Sequence, residues 1–474
     1  KARNVSKFYN KIAKSRKKWF KKAEAFHNED KIMLNELVFS GSKVLELGCG
    51  NGQLLNSLRP SYGLGIDISK EIIKQAKKNF KKLNFIEGDI SNINKLLKKK
   101  IKFDYIILSD TIGYLDDIQA TLEKLHQFCN NDTRIILSYY SPLWSPILSL
   151  ATFFKLKMPD INTYLLSLEH IKSFLSISSF EVVRTEKKIL LPMKLFNLGR
   201  MINRFFSPLP IFSFFCLRHY IIARSLNISK SSLPNSASII IPCKNEKGNI
   251  LNAVERIPEF TKKIEIIFIE GNSSDGTWQE IKRVENLFKN KKRNFTISSF
   301  KQKGKGKANA VFYGFEKAKN DVLFILDADL TVEPEELSKF WEKISTGEAE
   351  YVNGTRLVYP MDEKAMQYLN YLANKSFSIL FSWLLGQKYT DTLCGTKVMT
   401  KSNYLRIKKK NKDLGDFDPF GDFFILFGAS RLALKMCEIP VRYKARAYGK
   451  TQISRFSHGI MLVKVVFFAF FSIK

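Results

Sequence analysis

Cysteine is scarce and scattered. Cys49, Cys129, Cys216, Cys243, Cys394 and Cys437 form no C-x-x-C pair and no Cys/His cluster with zinc spacing. That excludes a zinc module and a disulfide framework, and a reduced, cytosolic chain is expected. Glycine (24) and proline (14) are too few for a collagen-like or low-complexity chain. Long apolar runs are also missing. No window reaches the roughly 18–20 uninterrupted apolar residues of a spanning helix. Two segments approach one: residues 189–223, broken by Arg200, Arg204 and Arg218, and residues 460–473, broken by Lys464. Both read as interfacial. The Lys-rich start has no apolar stretch behind it, so it is not read as a signal peptide. It opens on Lys1 rather than Met, so residues are expected upstream.

Acidic residues are outnumbered. Asp and Glu total 45 against 77 Lys and Arg, a formal net charge of +32. Such an excess calls for anionic company: nucleic acid, anionic lipid or phosphorylated substrates. Abundant Lys, Asn, Ile and Phe also fit A+T-rich coding, so charge alone does not name the partner.

What is present is a globular chain. Its 474 residues are 45% hydrophobic, enough for two to four domains of about 100–200 residues. Apolar runs at 43–47, 62–67, 84–87, 105–109 and 134–139 alternate with helical stretches such as 70–82 and 118–128. A second series has runs at 238–242, 265–270, 294–299 and 321–327. Strands separated by helices predict parallel sheets, hence an α/β fold of two doubly wound domains. The polar stretch NISKSSLPNS at 227–236 separates the series. The expected division is a domain over 1–228, a linker over 229–237 and a domain over 238–474. The first 30 residues are basic and helical, with Phe8, Tyr9, Trp19, Phe20 and Phe26 interspersed.

The first run leads into VLELGCGNG at 44–52. Gly48, Gly50 and Gly52 permit positive φ and close backbone approach to a ligand, and the following helix offers free N–H groups. The dinucleotide pattern G-x-G-x-x-G fails, because Gln53 follows Gly52. Asp67 ends the next strand, where a carboxylate can take both ribose hydroxyls, and Asp89 follows the third in FIEGDI. Over residues 40–140 this order resembles a class I S-adenosylmethionine-dependent methyltransferase with a Rossmann-like fold. The resemblance implies that Glu46, Gly48, Gly50 and Gly52 shape the methionine and ribose pocket. It assigns Asp67 to the ribose and Asp89 with Ile90 to the adenine. Ser109 and Asp110 fall beside the methyl group. Direct methyl displacement needs alignment and desolvation more than a base, so Tyr114, Tyr139 and Tyr140 are candidates only for a pocket wall.

In the second half SIIIPCKNEKGN places Pro242, Lys244 and Glu246 at a strand end. IEIIFIEGNSSDGT does the same for Glu270 and Asp275, and KQKGKGKANAVFYGFEKA opens a helix with Lys305 and Lys307. DVLFILDADL ends in Asp327-Ala-Asp329. Two carboxylates at i and i+2 past a strand are hard oxygen ligands for Mg²⁺ or Mn²⁺ bound with a diphosphate. From about residue 238 to 456 these motifs, with NGTR, DTLCGTKV and EIPVRYKARAYGKTQIS, resemble a family 2 GT-A glycosyltransferase, in particular the polyprenyl-phosphate mannose/glucose synthases. The resemblance implies nucleoside contacts from Pro242, Lys244, Glu246, Glu270 and Asp275, with metal and diphosphate on Asp327 and Asp329. Arg356 and Arg446 would face phosphates. Thr331 stands where such synthases often carry a third polar ligand, and their Y-G-x-S-K lysine is displaced here, so either Lys450 stands in for it or the acceptor differs. GDFDPFGDFF at 415–424 is acidic, and Asp416, Asp418 or Asp422 would bind sugar or act as base for a hydroxyl acceptor.

The expectation is a bifunctional enzyme on the cytoplasmic face of the cell membrane. A metal-dependent inverting glycosyltransferase takes a nucleotide sugar to polyprenyl phosphate or to a glycan or glycolipid hydroxyl. A methyltransferase using S-adenosylmethionine serves the same pathway. An anionic membrane surface is the expected partner, and nucleic acid is not expected. Two readings stay open: a methyltransferase for RNA or another substrate with the GT-A half as binding module, and a glycosyltransferase on an inactive methyltransferase scaffold.

Overall fold

Largely buried aliphatic runs make the central strands of both sheets, as parallel strands covered on both faces require. In the computed structural model, residues 2–97, 101–161, 165–193, 198–227, 233–289, 291, 293–360, 368–411, 421–449 and 455–473 are described. The chain divides into two units, Lys1–Ser229 and Lys230–Lys474.

The first unit holds β1 (Lys43–Leu47), β2 (Tyr62–Asp67), β3 (Asn84–Glu87), β4 (Phe103–Ser109), β5 (Cys129–Tyr140), β6 (Phe180–Lys188) and β7 (Arg218–Ser225). Their order is β3-β2-β1-β4-β5-β7-β6. The first five run parallel, and β7 lies antiparallel between β5 and β6. The basic N-terminal stretch forms three helices, Ala2–Ile12, Arg16–Lys22 and Glu24–Leu37.

The second unit holds β8 (Ser236–Cys243), β9 (Lys263–Glu270), β10 (Phe295–Lys301), β11 (Val322–Ile325), β12 (Tyr351–Thr355), β13 (Lys397–Thr400) and β14 (Met436–Pro440). The order is β10-β9-β8-β11-β13-β12-β14, with β13 antiparallel to both neighbours. Each unit is thus a seven-stranded mixed sheet covered by helices, an α/β fold whose parallel core matches the expected alternation.

One expectation needs correction. The segment 189–223 is not a single interfacial stretch, because its end is β7, a strand buried along its whole length. Arg218, His219 and Arg224 hid the strand pattern. Burial of the two arginines is tolerated because Arg218 bonds to Asp30 at 2.9 Å and to Asp110, while Arg224 bonds to Glu181 at 2.8 Å.

Burial also pushes two histidines of this unit down to about 4: His27, stacked on Phe20, and His219, whose ring nitrogens have no partner among the described residues. Unfolding restores an ordinary value near 6.5, so the unfolded chain binds more protons between those two values. Their contribution is complete above about pH 6.5 and is lost as pH falls toward 4. Urea midpoints are expected to drop between pH 7 and pH 5, and His219→Phe is expected to flatten the dependence.

Candidate functional site

In the first unit the site grows from the end of β1. Gly48, Gly50 and Gly52 all have left-handed φ, at 76°, 51° and 77°. A Cβ on Gly48 would strike the Thr111 hydroxyl, and one on Gly50 would lie 2.6 Å from Arg16 Nη2. Only glycine fits such a loop. The Gly50 N–H donates to Asp67 Oδ2 at 2.8 Å and the Ser69 N–H to Asp67 Oδ1 at 2.9 Å. Asp67 is therefore tied to the loop rather than hanging free at the end of β2. Glu46, within β1, is buried, and its Oε2 has no partner among the described residues. Burial drives its carboxyl well above the usual range, and Asp67 beside it adds to the rise. Asp89 accepts from the Ser91 N–H at 2.9 Å and caps a short turn that begins at the buried Ile90. It lies two residues beyond Glu87, the register partner of Asp67.

Ser109 has a different setting. Arg218 Nη2 donates to its hydroxyl at 3.0 Å, and the Ser138 hydroxyl does so at 3.1 Å. This places Ser109 in the network that neutralises Arg218 and holds Asp110. Tyr114 hydrogen-bonds to Asp160 and shares a 2.7 Å hydrogen bond with Tyr9. Tyr140 lies under the Arg218 guanidinium, and the Tyr139 hydroxyl is buried without a described partner.

The N-terminal segment contributes residues that the motifs did not flag. Asn10 Oδ1 accepts from the Ser69 hydroxyl at 2.7 Å and from the Glu71 N–H at 3.2 Å. Arg16 sits against Gly50 with a buried Nε that has no partner among the described residues. The only sequence signal for this segment is the mixing of aromatic with basic residues, which a solvated helix face does not need.

In the second unit the strand ends of β8, β9 and β11 converge. Pro242 lies within β8 and Lys244 is exposed just beyond it. Glu246 accepts from Asn249 at 2.7 Å and from Arg446 Nη1 at 2.9 Å, and burial lifts its carboxyl above the ordinary value. Glu270 accepts from the Ser273 N–H at 2.5 Å. Asp275 accepts from the Lys247 and Thr277 N–H groups at 3.1 and 3.0 Å. Burial opposes its charge, but the Thr277 hydroxyl and these amides outweigh that and hold the carboxyl below its usual range.

β11 ends at Ile325, so Asp327 and Asp329 stand in the turn beyond it. Lys307 Nζ lies 2.6 Å from Asp327, and Arg446 Nη2 donates to Asp329 at 2.6 Å. Burial disfavours the Asp327 charge, yet Lys307 more than compensates and holds the carboxyl below its ordinary value. The Thr331 hydroxyl donates to Asp329 at 2.9 Å, so it orients the second carboxylate. Gly395 packs against this pair, and a Cβ there would collide with the Asp327 carboxylate. Asp422 opens the helix Asp422–Arg431, 3.9 Å from the fully buried Lys397, and its charge also acts on Lys307. Lys305 is exposed in the preceding loop. Asp416, Asp418 and Lys450 lie outside the described residues.

Arg356 is paired to a carboxylate of its own unit. Its guanidinium donates to Asp391 at 2.7 and 3.0 Å, and Asp391 is fully buried. Burial disfavours the Asp391 charge, but Arg356 outweighs it and holds the carboxyl below its ordinary range. A guanidinium occupied in this way ties β12 to the loop before β13. Asp391→Asn would leave Arg356 buried and unpaired, so a stability loss of about 3–5 kcal/mol is expected in urea unfolding. A change below about 1 kcal/mol would instead fit a free, phosphate-facing arginine.

Residues 238–411 match the family described as Glycosyl transferase family 2, and residues 39–193 match a methyltransferase domain family. A dolichol-phosphate mannosyltransferase of Pyrococcus furiosus is 32% identical over 220 residues, 46% of this chain and 58% of the relative. An undecaprenyl-phosphate 4-deoxy-4-formamido-L-arabinose transferase of Proteus mirabilis is 25% identical over 228 residues, 46% of this chain and 63% of the relative. The chain thus spans about 60% of the length of these two curated relatives. Among solved structures, a Synechocystis magnesium protoporphyrin IX methyltransferase aligns with 48% of this chain and 100% of its own, at 18% identity and a TM-score of 0.35. The chain carries a methyltransferase domain followed by a glycosyltransferase domain of family 2.

Proposed function

We propose that the second unit transfers a sugar, with inversion, from a nucleotide donor to a polyprenyl phosphate, and that the first unit methylates a product of the same glycan or glycolipid pathway with S-adenosylmethionine. The observation that carries the glycosyl reading is the turn Asp327-Ala-Asp329 at the strand ends, with Lys307 and Arg446 paired to its two carboxylates. The names of the curated relatives favour polyprenyl phosphate as acceptor.

The residues fit a cation held jointly with its substrate. Among the described residues no group of three or more His, Cys, Asp or Glu could hold a metal. Asp327 and Asp329 would hold Mg²⁺ or Mn²⁺ together with the donor diphosphate. The bound ion supplies charge neutralisation as the nucleoside diphosphate leaves. Around it Lys307 and Arg446 are placed to exchange their carboxylate partners for phosphate oxygens, while Glu246, Glu270 and Asp275 hold the nucleoside side. A phosphate acceptor is already anionic and needs no base. For a hydroxyl acceptor Asp422 is the described carboxylate placed to take the proton.

In the first unit the orphan Glu46 oxygen and the positive-φ loop fit the donors and backbone of S-adenosylmethionine, which supplies an activated methyl group. Arg16 adds a cation for its carboxylate. The helix Arg455–Ile473 supports peripheral attachment to the cytoplasmic face of the membrane. It buries Leu462, Val465 and Ala469 and exposes Ile460, Phe467 and Phe471. No described helix is long and apolar enough to cross a membrane.

Thermal-shift screening of nucleotide sugars with Mn²⁺ tests the glycosyl half. One donor is expected to stabilise the protein only with metal, and Asp329→Asn is expected to abolish that shift. A shift indifferent to metal and to the variant would overturn the reading. Calorimetry tests the methyl half. Arg16→Ala is expected to weaken S-adenosylmethionine and S-adenosylhomocysteine roughly 10- to 150-fold, in line with one charge-assisted hydrogen bond of about 1.5–3 kcal/mol. Adenosine, which has no carboxylate, is expected to be indifferent to that change.

A further inference from the structure

The helix Ser145–Phe153 reads SPILSLATF, yet none of its residues is buried. Ile147, Leu150 and Phe153 stand out from it, the last 79% exposed. Trp144, just before it, donates its Nε1–H to the Phe215 carbonyl at 2.8 Å. That bond brings alongside a second outward apolar segment, where Ile211 is 77% exposed and Phe214 61%. The helix Leu198–Phe205 packs with the opposite polarity to a core helix. Its Gly199 and Asn203 are buried, while Leu198 and Met201 face outward. The orientation is fixed, because the Asn203 amide bridges the Leu191 N–H at 2.8 Å and its carbonyl at 2.9 Å. So large an apolar surface on a soluble face marks an interaction site.

Its charge selects the occupant. Residues 143–157 and 198–215 contain Lys155, Lys157, Arg200 and Arg204 and no acidic residue, and the ion pairs of Arg200 with Glu29 at 3.6 Å and of Lys157 with Asp160 at 3.7 Å reach to neighbouring segments. Lys22 donates to the Lys155 carbonyl at 3.0 Å, which places the basic helix Arg16–Lys22 at the same edge. A second copy on a two-fold axis would set these cations against their equals. An anionic bilayer complements both the apolar centre and the basic rim.

The face is continuous with the methyl-transfer site. Lys157 lies over the Tyr140 ring at 5.8 Å, and Asp160, three residues on, hydrogen-bonds to Tyr114 and Tyr9 beyond the end of β4. We infer that the first unit seats itself on an anionic membrane through residues 143–157 and 198–215, and that its methyl acceptor is a lipid-borne molecule entering from that membrane. The second clause rests on the methyltransferase reading above; the first does not.

The test uses the full chain with vesicles of phosphatidylcholine, alone and with 30% phosphatidylglycerol. An environment-sensitive fluorophore is placed at Phe153→Cys, at Ile211→Cys and, as control, at Lys95→Cys, with the unsubstituted protein as labelling blank. Labels at 153 and 211 are expected to blue-shift and to be quenched by bromolipids in the anionic vesicles, and the label at 95 is expected to do neither. Leu150→Glu with Phe153→Glu and Ile211→Glu is expected to reduce vesicle affinity about tenfold with an unchanged melting temperature. Vesicle binding with 153 and 211 still in water would overturn the proposal, because another part of the chain would then be the anchor. A blue shift without vesicles, accompanied by a doubled mass in solution, would overturn it in favour of a second copy. Lipid penetration without S-adenosylmethionine binding would keep the docking face and remove the methyltransferase reading.

Discussion

A single buried guanidinium holds the first unit together. Arg218, at the start of β7, bonds to Asp30 of the helix Glu24–Leu37, to Asp110 and Ser109 at the end of β4, and to Ser138 of β5. The Tyr220 hydroxyl donates to Asp30 at 2.6 Å, and the rings of Phe26 and Tyr140 lie against the cation. An isolated buried charge is very costly, so every one of these partners is needed. The N-terminal helices are consequently packed against the glycine loop and the end of β4. With Asp30 anchored, the preceding turns carry Arg16 onto the glycine loop and Asn10 onto Ser69. Asp110 has φ of 53°, a strained conformation for a residue with a Cβ, and its ion pair to Arg218 accounts for its persistence.

The second unit is organised by charge compensation of another kind. Its clustered carboxylates are matched by cations from distant parts of the chain: Asp327 by Lys307 from the helix after β10, Asp329 by Arg446 from beyond β14, and Asp422 by Lys397 of β13. Such pairs offset the cost of gathering several carboxylates in one place. Arg356 and Asp391 form the exception, a bidentate pair deep enough to act as a brace.

The legible part of the sequence was the part written in local patterns. Parallel strands β1 to β5 and β8 to β11 are apolar runs at the expected places, and the glycine loop and the two aspartates past β11 follow directly from them. The illegible part depended on distant partners. β7 contains two buried arginines, so its burial follows only once Asp30, Asp110 and Glu181 are known to meet them. Arg16 belongs to a basic run that looks solvated, and only the fold carries it to Gly50. Ser109 and Arg356 stand at motif positions, but their side chains are occupied by neighbours that no motif names.

The N-terminal lid also bears on timing. Asn10, Ser6 and Tyr9 bond across to Ser69, Ile68 and Tyr114, closing one side of the glycine loop. On the proposed cofactor reading, a ligand lodged beneath Arg16 would leave as those bonds open. Its dwell time is then governed by the local unfolding free energy of the helix Ala2–Ile12 rather than by diffusion out of an open cleft. Spent cofactor would be retained for as long as that short helix stays docked, making the first dozen residues a clock for the turnover of the whole unit.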